Sequence, residues 1–184
     1  INLNKDFNKN LMFFDSSKKM FRLLLSKKLD AKLIDISSKY SVKEIAPKKF
    51  SNITCLYNVL GHIDGRRLKL EALKNIYSLL DEDGVFIFDV NNRWNYKQYG
   101  VFKVLINLIL DLFRMNSGDY VLKINSLNKI IKSKVHLFNY FEIKKILHQA
   151  GFKIKKYYIV DYKSGQIVNS IFKGQIVIIA QKDD

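Results

Sequence analysis

The chain has 184 residues, 48% of them hydrophobic and 13% aromatic, enough for one domain around one packed core and too apolar for a disordered chain. A single cysteine, Cys55, excludes an internal disulfide and a Cys/His metal cluster, and points to a reducing, cytoplasmic setting. The formal net charge is +15, but the basic pairs (Lys18-Lys19, Lys48-Lys49, Arg66-Arg67, Lys155-Lys156) are spread along the chain, with no aromatic-basic ladder. Two readings of that charge stay open, a solvated surface and a nucleic-acid face, and the scatter favours the first.

The first residues are polar, so a signal peptide is not expected, and the most apolar stretch, 101–113, is too short for a bilayer span. The chain begins at Ile1 rather than Met, so an upstream segment is expected.

In chain order, Leu11 to Phe14 reads as a short strand ending at Asp15. Ser16 or Ser17 caps a helix with Met20, Leu23 and Leu24 on one face. Lys32 to Ile36 (KLIDI) is a second strand. Ile53 to Leu60 is a third, apolar enough to be buried on both faces. Asp64 caps a helix carrying Leu73, Ile76, Tyr77 and Leu80, and Asp83-Gly84 is the turn that ends it. VFIFDVNN, residues 85–92, is the fourth strand.

Val101 to Phe113 reads as an amphipathic helix whose apolar side includes Val104, Leu105, Leu108 and Ile109. Residues 120–134 form a strand or hairpin. Phe141, Ile143, Ile146, Leu147 and Ala150 give a helix that stops at Gly151. Residues 153–162 and 175–181 are the last strands. Strands alternating with helices predict a three-layer α/β fold with a mainly parallel sheet. Ligands of such sheets bind at the carboxyl edge. Three polar clusters fall there: Asp15, Asn58 to His62, and Asp89 to Arg93.

LMFFDSSKKM, KLIDI, CLYNVLGHI, LKNIYSLLDEDGVFIFDVNNRWN and HLFNYFEIKKILHQAGFKI follow one another in this order. Together they resemble strands two to six of the class I S-adenosylmethionine-dependent methyltransferases, across nearly the whole chain. The resemblance implies a Rossmann-like methyltransferase fold with an antiparallel C-terminal strand. It makes residues 1–184 one partial domain, with a substrate-covering helical insertion over 95–135. The family's first strand and the glycine-rich loop after it find no counterpart here. That strand lies between the second and fourth, so a gap in the sheet is expected.

The resemblance implies S-adenosylmethionine as cofactor and methyl transfer to a small-molecule acceptor. The alternatives are an RNA or protein methyltransferase and an inactive methyltransferase-like scaffold. Asp15 and Ser16 would take the ribose, Asp15 accepting from both hydroxyls; the plainer role is a helix cap. Asp35 and Ile36 would take the adenine, or Asp35 closes a turn before Ser37-Ser38. Asn58, Val59 and Leu60 would lie along the methionine part. His62 is a substrate contact, a general base or a structural residue, with the proton-transfer role the least favoured. Asn91, Asn92, Arg93 and Trp94 come off the fourth strand toward the same edge, where Arg93 would clamp an anionic acceptor, or all four form a polar loop. His136 is a further substrate-binding candidate.

Overall fold

The computed structural model describes residues 11–45, 47–113, 118–126 and 129–183. Strand β1 (Phe13–Asp15) leads into α1 (Lys18–Ser26), where the Ser17 hydroxyl accepts the Met20 N–H. Strand β2 (Ala31–Leu33) pairs with β1 in parallel. Short helix α2 (Lys39–Lys43) leads to β3 (Phe50–Cys55), and α3 (Val59–His62) and α4 (Gly65–Leu79) follow. Strand β4 (Leu80–Val90) pairs with β3 in parallel. Helices α5 (Tyr96–Tyr99) and α6 (Val101–Leu112) precede the antiparallel hairpin β5 (Asp119–Ser126) and β6 (Lys129–His136). Helix α7 (Tyr140–Gln149) and strands β7 (Phe152–Val160) and β8 (Gln175–Lys182) complete the chain.

The main sheet has the order β3-β4-β8-β7, with β8 antiparallel to both neighbours. Strands β1 and β2 form a separate two-stranded sheet. This is a mixed α/β fold whose parallel pairs are split between two sheets. The main core joins α4 and α7 to the central strands through Leu73, Ile76, Phe86, Phe88, Leu147 and Ile178, all buried. A smaller cluster of Ile34, Val42, Ile45 and Leu79 fastens β2 and α2 to the end of α4. Phe14 meets Phe50 edge-on across the space between the two sheets, ring centroids 5.8 Å apart.

Five expectations are corrected. The third strand stops at Cys55, because Tyr57 and Asn58 turn the chain through left-handed backbone (φ 66° and 56°) into α3. It is also a sheet edge, so Ile53 and Cys55 are half-buried rather than enclosed on both faces. Asp83-Gly84 does not divide helix from strand: α4 runs directly into β4 at Leu80, and the register shift between Phe50↔Leu80 and Asn52↔Val85 bulges residues 81–84 out of the ladder.

The other two corrections concern helix faces. Helix α1 buries no residue; Met20 and Leu23, expected on a packed face, are exposed. Helix α6 turns the apolar side outward as well, and its buried residues are Val104 and Asn107. The reason is polar: Asn107 Nδ2 donates to the Arg93 carbonyl at 3.0 Å, and Asp111 binds the Arg93 guanidinium and the Trp94 indole N–H.

Candidate active site

Strands β1, β2 and β3 end around a cavity of about 640 Å³. A small-ligand pocket falls in this size range. Its polar wall is made by Asp15, Ser16, Asp35 and Thr54; Ile36, Ile53 and Val59 supply apolar surface. Asp15 Oδ1 accepts the Ser17 N–H at 2.7 Å, and Asp35 Oδ1 accepts both the N–H and the hydroxyl of Ser37. Each carboxylate is thus oriented through one oxygen, and its Oδ2 makes no hydrogen bond among the described residues.

Asn58 stands behind this wall. Its backbone N–H donates to Asp89 Oδ1 at 2.9 Å, and its own Oδ1 accepts the Asn91 N–H at 3.0 Å. The remaining donor, Nδ2, is buried without a partner among the described residues. A buried unpaired amide costs stability, and Asn58 lines neither cavity. Gly61 makes room for this side chain, since a Cβ there would lie 2.2 Å from Nδ2. Burial pushes the Asp89 carboxyl above its ordinary value, and the N–H groups of Asn58 and Tyr57 oppose that shift. Burial and the Asp89 charge push the Cys55 thiol up to about 12, so it is a poor nucleophile at neutral pH.

A second cavity, of about 410 Å³, shares His62, Ile63 and Asp64 with the first. Its far side is built by Lys69, Asp119, Tyr120 and His136. His136 is buried between two carboxylates: Nδ1 lies 2.8 Å from Asp119 Oδ1, and Nε2 lies 2.7 Å from Glu142 Oε1. That bond to His136 holds the Asp119 carboxyl below its ordinary range. Lys69 is buried, with Nζ donating to the Ile63 carbonyl at 2.7 Å, and its burial lowers the ammonium pKa.

Of the residues expected at the site, Asp15, Ser16, Asp35, Ile36, Val59 and His62 line the first cavity, and His62 and His136 line the second. The Leu60 side chain is in the core. Asn91 contributes its backbone to the Asn58 amide. Asn92, Arg93 and Trp94 line neither cavity and hold loops together. Asn92 Nδ2 donates to the carbonyls of Ile171 and Gly174, and its Oδ1 accepts the Trp94 N–H. Arg93 is occupied by Asp111, Glu142 and the Leu137 carbonyl. Lys69 was not expected at the site. Its signal is its position on the same helical stripe as Ala72, Leu73 and Ile76, where a lysine must be buried with them.

No family model and no curated protein matches the sequence. Solved structures do match the fold. An S-adenosylmethionine-dependent methyltransferase from Clostridium acetobutylicum superposes with a TM-score of 0.64 at 19% identity, covering 96% of this chain and 76% of that one. One from Methanosarcina mazei gives 0.68 at 14% identity, covering 96% and 84%. The 1,6-didemethyltoxoflavin-N1-methyltransferase of Burkholderia thailandensis, solved with 1,6-didemethyltoxoflavin and S-adenosylhomocysteine, gives 0.57 at 14% identity, covering 97% and 65%.

Proposed function

We propose that this chain, whose fold is that of the class I S-adenosylmethionine-dependent methyltransferases, binds S-adenosylmethionine and passes its methyl group to a small-molecule acceptor. The observation that carries this reading is the convergence of Asp15, Asp35, Ile36 and Val59 on one cavity at the strand tips. The residues fit such a ligand. The spare oxygen of Asp15 would accept from a ribose hydroxyl and that of Asp35 from an adenine amine, with Ile36 against the ring. Asn58, which lines neither cavity, would hold the turn that carries Val59 through its bonds to Asp89 and Asn91. Bound there, S-adenosylmethionine supplies an activated methyl group, so the chain's task is to position and desolvate the acceptor.

The second cavity is our acceptor site, because it meets the first along His62-Ile63-Asp64. His62 and His136 both border this cavity, and the Lys69 region favours an acceptor with an anionic or carbonyl group. The hairpin and helix over 95–135 act as the cover of this site within a single domain. We also read the space between β1 and β3, including the part of the first cavity lined by Phe14, Ile53, Ile76 and Leu79, as the place of a further strand and its glycine-rich loop, which leaves the ligand the end near Asp15 and Asp35. Among the described residues β1 pairs with β2 alone and β3 with β4 alone, and α1 buries nothing.

Calorimetric titration of the full-length protein with S-adenosylhomocysteine tests the reading. Micromolar binding is expected, weakened tenfold or more in Asp15→Ala, about 1.4 kcal/mol. Absence of binding by the folded protein would overturn the reading.

A further inference from the structure

We propose that Lys69 anchors a carboxylate-bearing small molecule in the second cavity; calling that molecule the methyl acceptor rests on the reading above. Lys69 comes to the cavity wall from α4 and is only 5% exposed. Its Nζ donates to the Ile63 carbonyl at 2.7 Å. An ammonium has three hydrogens to give. Among the described residues the other two find no acceptor, and no carboxylate lies within 4.0 Å of Nζ. Burial lowers its pKa, and the charges of Asp119, Glu142 and Asp64 oppose that shift from longer range. A buried charge without a close counter-ion is destabilising. A ligand anion in the cavity would supply the missing partner.

The other buried polar group of this cavity is already committed. His136 has both ring nitrogens on carboxylates, Asp119 at 2.8 Å and Glu142 at 2.7 Å. A Cβ at Gly118 would lie 2.3 Å from the His136 ring, so the ring is closely packed where it stands. His62 and Lys134 are exposed. The same wall sets the charge of the ligand. Asp64 and Asp119 also line it, so a dianionic phosphate would meet two like charges, whereas one carboxylate matches the one unpaired ammonium. Ile63, Tyr120, Val121 and Val135 give apolar surface for the body of the molecule, in a volume of about 410 Å³.

The test is titration of the full-length protein, followed by nuclear magnetic resonance, with benzoate, its neutral isostere benzamide, and phenyl phosphate. Benzoate is expected to bind about tenfold or more tighter than either. Lys69→Met is expected to lose about tenfold or more of the benzoate affinity, with benzamide affinity and circular dichroism unchanged. Lys134→Met is expected to bind benzoate as the wild type does. Equal binding of benzoate and benzamide overturns the proposal. So does full benzoate binding by Lys69→Met, which would leave Lys69 as a tie between α4 and the Ile63 carbonyl. Tighter binding of phenyl phosphate overturns the carboxylate assignment. Should Lys69→Met not fold, nuclear Overhauser contacts from the benzoate ring to the methyls of Ile63, Val121 and Val135 in the wild type decide, and their absence overturns the proposal. Benzoate binding by a protein that does not bind S-adenosylhomocysteine supports the anchor and overturns the methyl-transfer reading; the reverse result does the opposite.

Discussion

Arg93 joins three parts of the chain that are distant in sequence. Its Nη2 lies 2.7 Å from Asp111 Oδ1 on α6, its Nη1 lies 2.9 Å from Glu142 Oε2 on α7, and the same Nη1 donates to the Leu137 carbonyl at 3.2 Å. Removing one partner of a buried ion pair strands the other charge and costs about 3–5 kcal/mol. Arg93→Leu is therefore expected to lower the unfolding free energy by about 3 kcal/mol in urea denaturation. A change below about 1 kcal/mol accompanied by a raised KM would restore Arg93 as a substrate clamp.

The same network has a pH signature. Burial works to raise the Asp111 carboxyl, but the bonds from Asn139, Arg93 and Trp94 outweigh it and hold the group below its ordinary value. Asp119 is lowered by His136. A carboxylate depressed by folding contributes its stability above the unfolded value, near 4, and loses it as pH falls through the folded value. Wild-type stability should accordingly fall as pH drops below about 4, and the decline should be shallower in Arg93→Leu.

At the level of elements, α7 is the most fully specified by its own residues. Asn139 Oδ1 accepts the Glu142 N–H at 2.8 Å as a cap, and its Nδ2 donates to Asp111 at 3.0 Å. Asn139→Ala should cost about 1–2 kcal/mol in the same denaturation assay, since both bonds go at once. The apolar spacing of α7 and its stop at Gly151, where φ is 88°, were legible in the sequence because every signal is local. Helix α6 was legible as a helix but not in orientation. Periodicity says which residues share a face; which face turns inward was decided by Arg93, 18 residues from Asp111. Strand β3 was over-extended for a related reason, since Leu56 to Leu60 is apolar apart from Asn58 while the backbone reverses at Tyr57 and Asn58. The strand-tip carboxylates Asp15 and Asp35 were readable from position. The Asp119–His136–Glu142 triad was not, because a hairpin must first bring β5 and β6 into register.

On the scale of the molecule, the two sheets are unequally held. The four-stranded sheet is enclosed by the main core, whereas β1 and β2 depend on the small cluster around Ile34 and Leu79, and on the bond from Asn75 to the Ile36 carbonyl at 2.8 Å. Local opening follows such differences in buried contact. Hydrogen-exchange mass spectrometry should find the amides of β1, α1 and β2 exchanging well ahead of those of β4 and β8. S-adenosylhomocysteine should narrow that difference by protecting the β1 and β2 tips. Uniform protection across both sheets would remove the premise that they are energetically separate.

The position of β8 between β4 and β7 bears on how the chain is made. Strand β4 leaves the ribosome with one edge paired to β3 and the other bare, and its partner on that side is about 85 residues further along. At ordinary synthesis rates of about 5–20 residues per second that interval is roughly 4–17 s. Throughout it, Phe86, Phe88 and Val90 have no antiparallel cover on a strand that ends as one of the most buried in the molecule. Nascent chains of this protein therefore carry an aggregation-prone edge for nearly half of the translation of these 184 residues, and a chaperone that binds short apolar strands has its longest window at β4.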